Sequence, residues 1–184
     1  MKIGIFGGCF NPPHNMHKSI ALDLINKNYL DKVIYVPTGD KYNKKELVEA
    51  SHRYNMVKLM IENNPNLLVS DYEIKNKLTY TYQTLDYFKN KYPNDEIYFI
   101  CGSDNLLELN TWRNYDYIIN NYKILVIKRN RFDKVKINKN IILTDISMND
   151  ISSTMIRKDL NYNLKNNNLD IKIYNYIKEN KLYE

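Results

Sequence analysis

The chain has 184 residues, of which 43% are hydrophobic, and a formal net charge of +6 at pH 7. This length suits one α/β domain with a sizeable core, and no apolar run approaches the roughly 20 residues that cross a bilayer. The lysine residues are spread along the whole chain and form no basic stripe, which argues against a nucleic-acid partner. Gly-Gly and Asn-Pro-Pro near the start interrupt any apolar signal segment, so we expect a cytoplasmic protein without a membrane partner.

Short apolar runs alternate with helical patterns along the chain. The runs predict strands over residues 2–6, 32–36, 67–70, 96–101, 123–127 and 141–143. Apolar residues at helical spacing predict helices over 18–27, 48–62, 80–91, 115–120, 152–160 and 170–180. The alternation predicts an α/β fold, a Rossmann-like doubly wound parallel sheet with helices on both faces. We expect a single domain over residues 1–184, which includes a C-terminal helical segment at 152–184.

The loop after the first predicted strand has the features of a phosphate site. Gly7 and Gly8 let the backbone approach an anion, and the helix that follows presents unpaired N–H groups at its N-terminus. His14 and His17 lie three residues apart, on one face of the first helical turn, where both can donate to the same anion. Because the pair lacks a clear third ligand, we expect no metal site built by the protein alone.

A second loop is expected to face the first. In a doubly wound sheet, ligands bind at the carboxyl ends of the strands, where the strand order reverses. In the common order the first and fourth strands flank that point, so residues 7–17 and 102–104 should line one crevice. Cys9 and Cys101 are close to the ends of these two strands. We predict that they lie close together near a nucleotide, and the alternative is that both are small apolar fillers.

The segment 151–157 has the same character. Ser152, Ser153 and Thr154 open a predicted helix with N-cap hydroxyl groups, and Arg157 follows within about one turn. Alone, this segment reads more simply as an ordinary cap followed by a surface arginine. Together with the first loop it indicates a second phosphate contact. The dinucleotide, P-loop and nucleophile-elbow motifs are absent from the sequence.

The two motifs together resemble a known superfamily. Gly7-Gly8-x-Phe10-Asn11-Pro12-x-His14-x-x-His17 and Ile151-Ser152-Ser153-Thr154-x-Ile156-Arg157 resemble the HxGH-type nucleotidylyltransferases, and most closely the bacterial nicotinate-nucleotide adenylyltransferases. Further segments agree with that family: Val36-Pro37-Thr38-Gly39 with Lys44, His52-Arg53-x-x-Met56, Tyr80-Thr81-x-x-Thr84-Leu85, and Gly102-Ser103-Asp104 followed by Trp112. The glycine of the HxGH pattern is Met16 in this chain, so a side chain is expected where the family keeps the backbone bare near the nucleotide.

The resemblance implies adenylyl transfer from ATP to nicotinate mononucleotide, which gives nicotinate adenine dinucleotide and pyrophosphate in NAD biosynthesis. It implies catalytic roles for His14, His17, Lys44 and Arg157. It implies ATP contacts from Gly7, Gly8, Phe10, His17, Gly102, Asp104, Ile151, Ser152, Ser153 and Arg157. It implies substrate contacts from Asn11, Thr81, Asp104 and Trp112. Mg²⁺ is expected to arrive with ATP, and the oligomeric state, including a homo-oligomer, is left open.

The implied reaction needs no general base, because a phosphate monoester is mostly ionised at neutral pH. Catalysis should come from positioning and from stabilising charge on the α-phosphate and the leaving pyrophosphate. Two alternatives stay open. One is the same transfer to another phosphate acceptor, nicotinamide mononucleotide or phosphopantetheine, and the other is a weakly catalytic nucleotide-binding protein. Trp112 has the alternative role of a core residue, and His52 is predicted to be structural because it lies on a helix.

Overall fold

The computed structural model describes residues 1–40, 46–76, 79–129, 139–148, 151–162 and 166–183. Within these residues, parallel strands form one sheet: β1 (Lys2–Gly8), β2 (Lys32–Pro37), β3 (Leu67–Val69), β4 (Glu96–Gly102), β5 (Lys123–Lys128) and β6 (Ile141–Ser147). The strand order is β3-β2-β1-β4-β5-β6, and each pair of neighbours is parallel. The predicted doubly wound fold is confirmed, and the order reverses between β1 and β4 as expected.

The helices between the strands cover both faces of the sheet. They are α1 (Asn15–Asn26), α2 (Ala50–Ile61), α3 (Tyr72–Lys75), α4 (Thr81–Lys91), α5 (Ser103–Glu108), α6 (Tyr115–Asn121), α7 (Ser153–Asn161) and α8 (Ile171–Glu179), with a 3-10 turn at Leu109–Thr111. Helix α1 begins three residues before its predicted start, and the short helices α3 and α5 were not predicted. Among the described residues, no helix is both long enough and apolar enough to cross a membrane.

Two hydrophobic clusters pack on opposite faces of the sheet. Phe6 of β1 belongs to the cluster that includes Leu24 of α1 and Ile173 of α8. Ile5, its neighbour in the strand, belongs to the cluster that includes Leu85 of α4. Successive side chains of a strand point to opposite faces, so a strand buried on both faces needs a continuous apolar run. This requirement explains why the inner strands were easy to recognise in the sequence.

The sheet opens at the carboxyl ends of its two central strands. Pairing between β1 and β4 ends at Ile5 and Phe99. Strand β1 stays paired with β2 as far as Gly8, and β4 stays paired with β5 as far as Gly102. Residues 6–8 of β1 and residues 100–102 of β4 therefore diverge, and they leave a cleft between the two halves of the sheet.

Candidate active site

A cavity of about 350 Å³ occupies this cleft. Its walls come from four parts of the chain, which are β1 with the loop to α1, the end of β4 with the start of α5, the ends of β5 and β6, and the start of α7. Every residue predicted to contact ATP lines the cavity, and so do His14 and Asn11. Lys44 lies outside the described residues. The two motifs that the sequence places far apart thus share one space.

His14 and His17 stack on each other at the edge of the cavity. Their ring centroids are 3.8 Å apart with an interplanar angle of 28°. The backbone N–H of His14 donates to Nδ1 of His17 at 3.2 Å, so the proton of a neutral His17 sits on Nε2. Tyr35 donates its hydroxyl to the His17 carbonyl at 2.8 Å, which fixes the first turn of α1.

Both imidazoles are neutral at pH 7. Burial, with a smaller contribution from the nearby Arg129 cation, lowers the pKa of His14 to about 4. Burial also lowers the pKa of His17 well below its usual range, with smaller contributions from His14 and Arg129. A neutral imidazole still donates one hydrogen bond, so the His17 Nε2–H can contact a phosphate oxygen. His14 is a buried residue, with 2% of its surface exposed.

The start of α7 is fastened to the loop that follows β1. Ser152 caps the helix, with its Oγ accepting from the Met155 N–H at 3.2 Å. Ser153 donates its hydroxyl to the carbonyl oxygen of Pro12 at 2.9 Å. The predicted cap is present, and the free N–H groups of this helix end face the same cavity as the histidines.

Arg157 is a buried arginine, only 9% exposed. Its Nη1 donates to the carbonyl oxygen of Asn11 at 2.8 Å. Its Nη2 lies 3.3 Å from the Glu46 carboxylate and 3.4 Å from the Thr154 hydroxyl oxygen. Within the described residues the Nε atom has no partner. The guanidinium therefore holds the loop after β1 through Nη1, and its Nε–H is a donor without a partner among the described residues.

Known proteins are similar to this chain both in sequence and in structure. The sequence model of the cytidylyltransferase-like family matches residues 5–159, which is most of the chain. This chain belongs to the cytidylyltransferase-like family. Similar relatives are the probable nicotinate-nucleotide adenylyltransferases of Clostridium acetobutylicum and Endomicrobium trichonymphae. The first is 40% identical over 99% of this chain and 98% of the relative, and the second is 41% identical over 100% and 99%.

Solved structures agree with this placement within the family. The chain resembles Plasmodium falciparum nicotinic acid mononucleotide adenylyltransferase complexed with NaAD, with 26% identity and a TM-score of 0.78 over 99% of this chain and 97% of that one. The complex of the same protein with APC gives 25% identity and a TM-score of 0.79 over 99% and 96%. The resemblance to the nicotinate-nucleotide adenylyltransferases drawn from the motifs is confirmed.

Two arginine residues, Arg129 and Arg53, contribute to the site although the sequence assigned no role to either. Arg129 follows β5 directly and pairs with Asp104, with Nη1 and Oδ2 2.9 Å apart across the cavity lining. Its backbone N–H donates to the Ser103 hydroxyl oxygen at 3.0 Å. In the sequence Arg129 opens a polar stretch and belongs to none of the predicted strands or helices. Its position just after a predicted strand of this sheet was the signal available, because ligands bind at that edge.

Arg53 appeared only as part of the family resemblance, and the structure gives it a distinct role. Its side chain is fully buried. It donates to three carbonyl oxygens, at 2.9 Å to Cys9, 2.7 Å to Thr38 and 2.8 Å to Val48. This arginine therefore ties the loop after β1 to the loop after β2. The neighbouring His52 points elsewhere and contacts the Tyr176 hydroxyl at 2.9 Å, in agreement with its predicted structural role.

Met16 is not where the motif comparison puts it. Its side chain is half-buried and packs against the hydrophobic cluster that contains Phe6, and it does not line the cavity. The reason is the early start of α1. Met16 is already helical, and one step along a helix turns the side chain by about 100° away from that of His17. His17 therefore lines the cavity, and the Met16 side chain does not.

Thr81 and Trp112, the two remaining predicted substrate contacts, lie outside the cavity lining. Thr81 begins α4, and Trp112 follows the 3-10 turn with its ring edge-on to Phe99 at 5.9 Å between centroids. Their chain neighbours meet, since the Arg113 guanidinium lies 4.9 Å from the centre of the Tyr80 ring. The structure thus brings these two segments together as a second group, and their contacts with substrate stay a prediction.

Proposed function

We propose that this chain transfers the adenylyl group of ATP to nicotinate mononucleotide, giving nicotinate adenine dinucleotide and pyrophosphate. The observation that carries the proposal is the cavity in which two neutral histidines, the start of α7 and Arg157 converge at the opened end of the sheet. Full-length relatives carry the matching enzyme name, and a similar solved structure was obtained with NaAD.

In this reaction an oxygen of the acceptor phosphate attacks the α-phosphorus of ATP. A bond forms from that oxygen to phosphorus, the bond from the α-phosphorus to the bridging oxygen breaks, and pyrophosphate leaves. The nucleophile is already ionised, so no proton has to be removed. We assign His17 Nε2–H to an oxygen of the reacting phosphate, because its other nitrogen is occupied by the His14 N–H. Arg157 and the N-terminus of α7 hold the negative charge of the triphosphate.

The residues around the cavity fit a Mg²⁺ ion that enters with ATP. The described residues contain no group of three or more His, Cys, Asp or Glu side chains able to hold a metal. Among the described residues that line the cavity, Asp104 is the only carboxylate. Mg²⁺ commonly binds through substrate phosphates, water and one or two carboxylates, so Asp104 would be its protein contact. When bound, the ion neutralises charge on the phosphates.

The acceptor fits the second group of residues. We assign the nicotinate ring to Trp112 and the nicotinate carboxylate to the N-terminus of α4 at Thr81, where free N–H groups favour an anion. The start of α4 would then distinguish the acid from the neutral amide. We expect the reaction to take place in the cytoplasm, where Cys9 and Cys101 stay reduced.

The test is pyrophosphate release with ATP and Mg²⁺, comparing nicotinate mononucleotide, nicotinamide mononucleotide and phosphopantetheine. We expect the nicotinate form to give the highest kcat/KM. Because Trp112 is the only tryptophan among 17 tyrosine residues, quenching by nicotinate mononucleotide of fluorescence excited selectively at tryptophan reports binding near that residue. The Trp112→Phe variant is the control for this signal. Faster turnover with phosphopantetheine would reassign the acceptor, and binding of ATP without turnover of any acceptor would overturn the proposal.

A further inference from the structure

A residue from the far end of the chain reaches the loop that follows β1. Tyr183, four residues beyond the end of α8, donates its hydroxyl to Oδ1 of Asn11 at 2.8 Å. The two residues are 172 positions apart. Tyr183 lies outside residues 5–159, the part of the chain that the family model matches. The hydrogen bond from Tyr183 to Asn11 therefore holds the loop after β1 from a part of the chain that lies outside both sequence motifs.

Three hydrogen bonds, including this one, hold the Asn11 side chain. Its Oδ1 also accepts from the Val48 N–H at 3.2 Å, and its Nδ2 donates to the Glu46 carbonyl oxygen at 2.7 Å. The residue is 4% exposed. Its side chain is thus held by two segments of the chain, residues 46–48 and Tyr183, and the hydroxyl of Tyr183 is the one partner that comes from beyond α8.

The position of Asn11 controls the groups assigned to ATP. Phe10, directly before it, has a φ of 48°, in the left-handed region that a phenylalanine residue adopts only under constraint. The Phe10 ring meets the His17 ring edge-on, with 5.0 Å between centroids. The carbonyl oxygen of Asn11 accepts from Arg157 at 2.8 Å. A shift of Asn11 would therefore move both the histidine and the arginine of the cavity.

Tyr183 itself stays away from the reacting groups. It lines a neighbouring depression together with Glu46 and Arg157, and it does not line the cavity. Burial raises the pKa of its hydroxyl well above the usual range, against an opposing effect of the nearby Arg157 and Arg53 cations. The hydroxyl is therefore a neutral donor throughout the working pH range, and it holds Asn11 in one orientation.

We propose that Tyr183 is a positioning residue for ATP, acting through Asn11 on the loop that carries Phe10 and His14. This inference rests on the proposed adenylyl transfer. A residue that only stabilises the fold would, when changed, lower the fraction of active enzyme and so lower kcat, with both KM values unchanged. A residue that positions the loop of the ATP cavity would raise the KM for ATP more than the KM for nicotinate mononucleotide, for which Asn11 is only one of several predicted contacts.

The variant that tests this is Tyr183→Phe, which removes one hydroxyl and keeps the ring. We expect the KM for ATP to rise about fivefold, the factor expected for the loss of one hydrogen bond, with a smaller change in the KM for nicotinate mononucleotide. The matched control is Tyr176→Phe. Its hydroxyl lies on α8 and bonds to His52 and Asn55, away from the cavity. We expect this control to leave both KM values unchanged.

A double variant tests the route through Asn11. If Tyr183 acts through that side chain, adding Tyr183→Phe to Asn11→Ala should change the KM for ATP no further. If the increase in the KM for ATP in the double variant instead equals the product of the increases in the two single variants, Tyr183 does not act through Asn11. An unchanged KM for ATP in Tyr183→Phe, or equal increases in both KM values, would overturn the positioning role itself.

Hydrogen exchange separates this inference from the proposed function. Backbone amides of residues 9–17 should exchange faster in Tyr183→Phe than in the wild type, and at the wild-type rate in Tyr176→Phe. The measurement needs no turnover. An inactive wild type would overturn the proposed function, and in that protein unchanged exchange at residues 9–17 would also overturn the positioning of the loop by Tyr183.

Discussion

Replacing Arg53 with methionine should lower the free energy of unfolding by about 3 kcal/mol. The side chain is fully buried, and it donates to the carbonyl oxygens of Cys9, Thr38 and Val48 at 2.7–2.9 Å. Methionine fills much of the same space but leaves these acceptors without their donor. At about 1 kcal/mol for each unsatisfied and only partly buried acceptor, the three losses add to about 3 kcal/mol.

Urea unfolding of the wild type and the variant measures this difference, provided that the m-values agree. The matched control is Arg113→Met, which removes an exposed arginine whose guanidinium packs on the Tyr80 ring. That contact is worth about 0.5–1 kcal/mol. Because Arg53 also holds the Cys9 carbonyl beside the cavity, the KM for ATP should rise in Arg53→Met and not in the control. A loss no larger than that of Arg113→Met would refute the reasoning, since the loops would then hold together without the arginine.

Three further predictions concern the cavity. Acidification from pH 7 to pH 5 should lower the free energy of unfolding of the wild type by about 2 kcal/mol more than that of His14→Asn, as measured by urea unfolding. The reason is that the His14 imidazole has a pKa of about 6.5 in the unfolded chain but about 4 in the folded protein, so the unfolded chain takes up a proton in this range and the folded protein does not. Equal acid sensitivity would contradict this. A thiol reagent should modify the partly exposed Cys9 and spare Cys101, whose pKa burial raises to about 12. Peptide mapping should show ATP slowing the modification, and indifference to ATP would move Cys9 away from the nucleotide. Arg129→Ala should raise the KM for ATP by up to about fivefold, because the half-exposed Asp104 carboxylate is then left unpaired beside the triphosphate; an unchanged KM for ATP would contradict a role of this pair in ATP binding.

The inner strands and the cavity motifs could be predicted because their signals are local. A strand buried on both faces shows as an unbroken apolar run, and the glycine, histidine and serine residues of each phosphate loop are close together in the sequence. Strand β6 was predicted to end at residue 143 but continues to Ser147. Its second half alternates, with Thr144 and Ile146 buried and Asp145 exposed, as is usual for an edge strand. A search for continuous apolar runs misses such a pattern.

The remaining features depend on partners that are distant in sequence. Arg53 contacts a residue 44 positions away, and the Arg129 side chain pairs across 25 positions. Nothing in the sequence near either arginine identifies those partners. Helix α3 has four residues and α5 has six, too few to show the 3.6-residue period on which helix prediction depends.

The opening between β1 and β4 also limits how stable this protein can become. Continued pairing of residues 6–8 with residues 100–102 would add ladder hydrogen bonds to the centre of the sheet and would fill the cleft. Residues 6–8 and 100–102 therefore cannot serve both thermostability and nucleotide binding. Substitutions that extend the pairing between β1 and β4 should raise Tm and abolish nucleotide binding. A bound nucleotide provides stabilisation of another kind, about 2.7 kcal/mol at a hundred times its Kd. Attempts to engineer a more heat-resistant form should therefore leave this gap alone and strengthen the outer helices.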